Sequence, residues 1–199
     1  MKRGIYLIWD LPAAHAAPRE FFTALGQDVP CAVQLRAKGA RQRPAVLSAL
    51  IEACHAASVP LFVNDHPEWV VGGVAGVHLG QDDGVAPGVG GQRIGRSTHD
   101  LEQVKAAAED ARVSYLGFGP IYPTASKADA LPARGVRALE EAVLQAQGKP
   151  VVAIGGINGA HLRRVKASGA WAAAVISAVW SSPDPVASLR KLVRGWESA

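Results

Sequence analysis

Short apolar runs alternate with longer Ala-rich runs along nearly the whole chain, and this alternation restricts its folds more than any other feature. The runs with strand character are Gly4–Trp9, Cys31–Leu35, Leu61–Val63, Gly76–Leu79, Arg93–Gly95, Tyr115–Phe118, Val151–Ile154 and Ala173–Ile176. They are apolar at almost every position, not at alternate ones, as strands covered on both faces should be. Helix-forming stretches lie between most of them: Arg43–Ala57, Asp100–Ala111, Val136–Gln147, Ala160–Ser168 and Pro185–Trp196. In the first, Val46, Leu47, Leu50, Ile51 and Cys54 recur at the spacing of one helix face. Thr98-His99-Asp100 before Leu101 reads as a helix start. Strands separated by crossovers imply a parallel sheet, and eight is the number that closes a (β/α)8 barrel. An open doubly wound sheet is the alternative, because the Gly- and Pro-rich stretch between Leu79 and Arg93 is a weak crossover. No Gly-x-Gly-x-x-Gly follows the first strand, which counts against dinucleotide binding.

The chain has 199 residues, 49% of them hydrophobic, so residues 1–199 are read as one TIM-barrel domain with a sizeable core. The net charge of +4 comes from scattered Lys and Arg, with few aromatics among them. That pattern argues against nucleic acid and suits small anionic substrates. No apolar stretch reaches the roughly 18 residues of a membrane span. Met1-Lys2-Arg3 leads directly into a short run ending at Asp10, a poor signal peptide. Cys31 and Cys54 make neither a Cys-x-x-Cys pair nor a disulfide framework, so a reduced cytoplasm is expected. A homo-oligomer is compatible with all of this, and the sequence leaves the state of assembly open.

In a barrel of this kind the chemistry gathers at the C-terminal ends of the strands. The second strand leads into Gln34, Arg36 and Lys38, whose alternation would put an amide and two cations on one side. Such a set suits a pyrophosphate, although a solvated strand end would look the same. The third and fourth strands lead to Asn64-Asp65 and to Asp82-Asp83. Asp65 and Asp83 beside cations would suit Mg2+ on a diphosphate, whereas alone they would read as turn residues. The fifth strand offers Arg96-Ser97, and the sixth leads to Thr124, Ser126 and Lys127, two hydroxyls and a third cation. The last two strands end in Gly155-Gly156 and Ile176-Ser177, where this fold usually holds phosphate on backbone N–H groups. Ala125–Arg134 is small, polar and loop-like. Trp9, at the end of the first strand, is expected to be able to face the site, while His78 reads as a structural residue and Cys31 and Cys54 as core. The other histidines have no metal-ligand spacing, so zinc is not expected.

Taken together, these motifs resemble thiamine phosphate synthase, a transferase family of thiamine biosynthesis. The resemblance runs from Ile5 to Ser177 through Gln34–Lys38, Asn64-Asp65, Val77–Asp83, Gly119–Lys127, Ala153–Ile157 and Val175–Ala178. It implies joining a hydroxymethylpyrimidine diphosphate to a thiazole phosphate, with release of pyrophosphate. It implies that Gln34, Arg36, Lys38, Asn64, Ser97 and Lys127 hold the pyrimidine diphosphate, with Arg36, Lys38, Ser97 and Lys127 carrying the chemistry. It implies that Asp65 and Asp83 bind Mg2+, and that Thr124, Ser126, Gly156, Ile176 and Ser177 hold the thiazole phosphate. Diphosphate would leave first to give a pyrimidine-stabilised carbocation, and the thiazole nitrogen would then attack. Four features depart from the family pattern: Ala37 for Glu, Trp9 for Thr, Ser126 for Thr, and a shorter Asp65-to-Asp83 spacing. The first two imply an altered fit at the rim of the first two strands. The related thiazole tautomerase is the alternative, although its members tend to carry His where Pro120 stands. A non-catalytic phosphate-binding barrel is a third reading.

Overall fold

The structure is a computed structural model that describes residues 2–11, 13–42, 44–81, 83, 91–124 and 131–199. Eight parallel strands close into a barrel in sequence order, with the last pairing the first. They are β1 (Gly4–Asp10), β2 (Ala32–Arg36), β3 (Leu61–Asn64), β4 (Gly76–Leu79), β5 (Arg93–Thr98), β6 (Val113–Phe118), β7 (Val151–Ala153) and β8 (Ala172–Val175). The helices are α1 (Pro18–Leu25), α2 (Val46–Ala56), α3 (Leu101–Glu109), α4 (Gly135–Gln145), α5 (Leu162–Ala167), α6 (Ser177–Trp180) and α7 (Pro185–Glu197). A 3-10 turn at Pro67–Trp69, not an α-helix, crosses from β3 to β4. The closed barrel replaces the open doubly wound alternative.

Helix starts follow local chemistry. Asp100 caps α3 by accepting from Gln103 N–H at 2.8 Å, while Gln103 Oε1 reaches back to His99 N–H at 2.6 Å. Asp184 caps α7 in the same way, accepting from Ala187 N–H at 2.9 Å, with Pro185 in the first helical position.

Apolar side chains divide between two cores. A large one lies between barrel and helices, and a smaller one fills the barrel interior. Strand β1 shows the alternation: Ile5, Leu7 and Trp9 point out to the helices, while Tyr6 and Ile8 point in. This corrects the expectation for Trp9. Its ring is fully buried and packs edge-on against Phe21 at 5.4 Å and Trp180 at 4.8 Å between centroids. Trp180 Nε1 in turn donates to Ile8 O at 2.8 Å, fastening α6 to β1. Trp9 therefore contributes to the outer layer, and Ala37 is buried in that same layer.

Candidate active site

A cavity opens at the C-terminal ends of the strands. Gln34 and Arg36 of β2, Asn64 of β3 and Ser97 of β5 line one side of it. Thr124 after β6, Gly156 after β7, and Ile176 and Ser177 after β8 line the other. Residues far apart in the sequence thus meet at one opening, as the strand-end reading anticipates.

On the first side, Arg36 Nη1 donates to Asp10 Oδ1 at 2.5 Å. This half-buried ion pair ends β1 and β2 together and fixes the guanidinium at the cavity wall. Lys38 does not continue the alternation. Strand β2 stops at Arg36, Ala40 N–H donates to Ala37 O at 3.1 Å, and the intervening turn leaves Lys38 exposed, outside the cavity lining.

The chain leaves β3 through Asp65 in the left-handed backbone region (φ 60°), one that Asp tolerates better than most residues. Asp65 N–H donates to His78 O at 2.9 Å, and Asn64 Nδ2 donates to Asp65 Oδ2 at 2.5 Å. The carboxyl of Asp65 is pushed above the ordinary aspartate range. Partial desolvation is the main cause, followed by the charge of Asp83 and a hydrogen bond with it, and only Asn64 and His66 pull it back. The structure therefore brings the two aspartates together. Asp83 Oδ2 accepts from Gly80 N–H at 2.7 Å. Its turn is held from below by the buried Arg96, whose Nη1 donates to Gly80 O and, at 2.7 Å, to Asp83 O. Among the described residues no cluster of three His, Cys, Asp or Glu could hold a metal. A pair of carboxylates suits a cation that takes its remaining ligands from phosphate and water. Asp82, Ser126 and Lys127 lie outside the described residues, as does most of the 125–134 loop.

The opposite side depends on backbone shape. Gly155 and Gly156 have φ of +99° and +64°. A β-carbon on Gly155 would strike Pro120, and one on Gly156 would strike Pro123 O. Ile121 N–H donates to Ile154 O at 2.9 Å and Tyr122 N–H to Gly155 O at 3.0 Å, laying the segment that ends in Thr124 against this turn. Ser177 opens α6 directly after β8.

The sequence reading missed the cavity floor. Tyr6, His78 and Tyr115 line it, joined by hydrogen bonds to Gln34 and Ser97. The available signal lay in two strand glycines: a β-carbon on Gly95 would strike Tyr115, and one on Gly117 would come within 3.0 Å of His78. His99 also borders the cavity, with Nδ1 2.7 Å from Gly119 O.

A family model described as thiamine monophosphate synthase matches residues 5–179. The chain belongs to the thiamine monophosphate synthase family. Curated relatives agree with that placement. It is 42% identical over 170 residues to the thiamine-phosphate synthase of Geobacillus kaustophilus, covering 81% of this chain and 75% of that one. It is 41% identical over 186 residues to that of Lactiplantibacillus plantarum, covering 88% and 85%. Among solved structures, thiamine phosphate pyrophosphorylase from Pyrococcus furiosus superposes with a TM-score of 0.82 at 26% identity, covering 98% of this chain and 96% of that one. A 3-hexulose-6-phosphate synthase superposes at 0.68 with 16% identity, which shows a shared barrel and nothing more. Membership of the thiamine monophosphate synthase family thus rests on sequence as well as shape.

Proposed function

We propose that this chain joins hydroxymethylpyrimidine diphosphate to thiazole phosphate, releasing pyrophosphate and forming thiamine phosphate. Thiamine phosphate formation follows from the family and from relatives at about 40% identity. The observation that supports the substrate arrangement is the pair of unlike walls facing one cavity. One carries Gln34, Arg36, Asn64 and Ser97, and the other carries Thr124, the Gly155-Gly156 turn and Ser177.

On this reading the first wall takes the pyrimidine diphosphate, and Arg36, aimed by Asp10, meets charge as it grows on the leaving group. The C–O bond breaks with its electron pair going to the diphosphate. The thiazole nitrogen then bonds to the carbocation left behind and becomes a thiazolium. No side-chain nucleophile is needed. Lys38, exposed just past the end of β2, would add charge to the diphosphate from the rim, and the family resemblance gives Lys127 the same role. The second wall would hold the thiazole phosphate through Thr124, Ser177 and the backbone around Gly156 and Ile176, with Ser126 joining them by the family resemblance, and so orient the nitrogen. Asp65 and Asp83 would hold Mg2+, and their mutual crowding fits carboxylates that lie next to a cation in the working state. When bound, that ion would offset charge on the diphosphate.

The deciding experiment supplies purified protein with both phosphorylated substrates, with Mg2+ and with chelator. Thiamine phosphate should form only with the metal. Isomerisation of a thiazole carboxylate phosphate in its place would substitute the tautomerase reading, and equal turnover in chelator would remove Mg2+.

A further inference from the structure

The cavity floor holds one unbroken line of hydrogen bonds between two strands that do not pair. Gln34 Nε2 on β2 donates to Tyr6 Oη at 3.2 Å, and Tyr6 Oη lies 2.9 Å from Tyr115 Oη. Tyr115 Oη lies 3.1 Å from His78 Nδ1, and His78 Nε2 lies 2.9 Å from Ser97 Oγ on β5. Gln34, Tyr6, Tyr115 and His78 are none of them more than 9% exposed, so a polar proton without an acceptor is costly here. Burial holds both phenols well above their ordinary range, and each therefore keeps its one proton.

The protons can then be counted, and with Gln34 donating they fit in one direction. Tyr6 already accepts from the amide, so it passes its own proton to Tyr115. Tyr115 passes its proton to His78 Nδ1. A histidine that accepts at Nδ1 carries its proton on Nε2 and donates it to Ser97 Oγ. Among the described residues, the opposite direction leaves a phenol proton with no acceptor, and so does a doubly protonated His78. Ser97 accepts from His78, so its own proton is left to point into the cavity it lines.

We infer that Tyr6, Tyr115 and His78 form a one-way hydrogen-bond chain that makes Ser97 a standing donor toward the anionic group of the substrate. The identity of that anion, the leaving diphosphate, rests on the reaction proposed above, whereas the direction of the chain does not. The three are positioning residues that act through Ser97. Gly95 and Gly117 belong to the same device, since side chains there would displace Tyr115 or His78.

The first test needs no substrate. In 15N-labelled protein, the ring nitrogens of His78 should report the neutral Nε2–H tautomer, and a dominant Nδ1–H tautomer would overturn the proposal. Tyr115→Phe removes the donor to Nδ1 and should unfix that tautomer. It should also lower kcat roughly five- to tenfold, the size of one neutral hydrogen bond, with little change in KM for the pyrimidine diphosphate. Tyr6→Phe keeps the link from Tyr115 to His78, so the tautomer should survive. In a Ser97→Ala background, Tyr115→Phe should cost nothing more; a full, additive loss would mean a merely structural tyrosine and sinks the idea. Should a variant fail to fold, the wild-type tautomer still decides. If the wild type makes no thiamine phosphate, the reaction reading falls while the tautomer measurement stands.

Discussion

Asp65 holds a carboxyl raised by partial desolvation and by Asp83, on a backbone turned left-handed. Its folded form binds a proton more tightly than the unfolded chain does. The stability this provides is fully present below the ordinary aspartate range and is lost as pH rises through the raised value. Asp65→Asn should therefore raise the melting temperature of metal-free protein at neutral pH, and the gain should shrink in acid. The same change should abolish most turnover. A melting temperature that is unchanged at both pH values would show that the two aspartates do not oppose each other. Arg36 and Ser177 test the two walls. Arg36→Ala should add about 1.5–3 kcal/mol to the bond-breaking barrier, because the cation meets growing charge. Ser177→Ala should weaken thiazole phosphate binding by about 0.5–1.5 kcal/mol and leave the single-turnover rate at saturation intact. Equal slowing of the chemical step by both would merge the two walls. Asp65 and Asp83 are visible in the sequence because the strands before them are neighbours and polar strand ends stand out. Tyr6, His78 and Tyr115 are not, because strands buried on both faces do not reveal which parity points inward. The same uncertainty made Trp9 look like a site residue. The alternation breaks at Lys38 for a different reason: a sequence pattern cannot show where a strand stops, and this one stops at Arg36.

The elements that carry the site are held by contacts outside it. Arg96, 8% exposed on β5, fastens the turn that bears Asp83 through two backbone carbonyls. Arg96→Ala should leave those carbonyls unpaired, at about 1–3 kcal/mol of stability for each one that finds no water. On the proposal that Asp65 and Asp83 hold Mg2+, it should also raise the Mg2+ concentration needed for half-maximal rate several-fold, and a metal titration would expose an unchanged requirement. Gly156→Ala forces a β-carbon into the left-handed region and against Pro123 O. Denaturant unfolding should show a loss of about 1–3 kcal/mol, and calorimetry a weaker hold on thiazole phosphate. All eight strands could be read because each is a compact apolar run between turn residues. The helices α1 and α6 could not: α1 has only 8 residues and α6 only 4, too few turns for a periodic pattern. The crossover from β3 to β4 carries no helix to find.

Over the whole molecule, the two cores divide labour. The outer one secures the barrel, and the inner one is interrupted by the polar floor of the cavity. Trp9→Ala, in the outer core, should cost about 3–5 kcal/mol in denaturant unfolding while KM for both substrates stays put. A large KM change with little loss of stability would return Trp9 to the site. The inner core has a tighter rule. Because a β-carbon at Gly95 would occupy the space of the Tyr115 ring, neither position can change first without harm. Enlarging residue 95 expels the ring, and shrinking residue 115 leaves a hole under His78. A lineage altering this floor must cross a valley of poorer folding or change both sites together, so Gly95 and Tyr115 should be inherited as one unit.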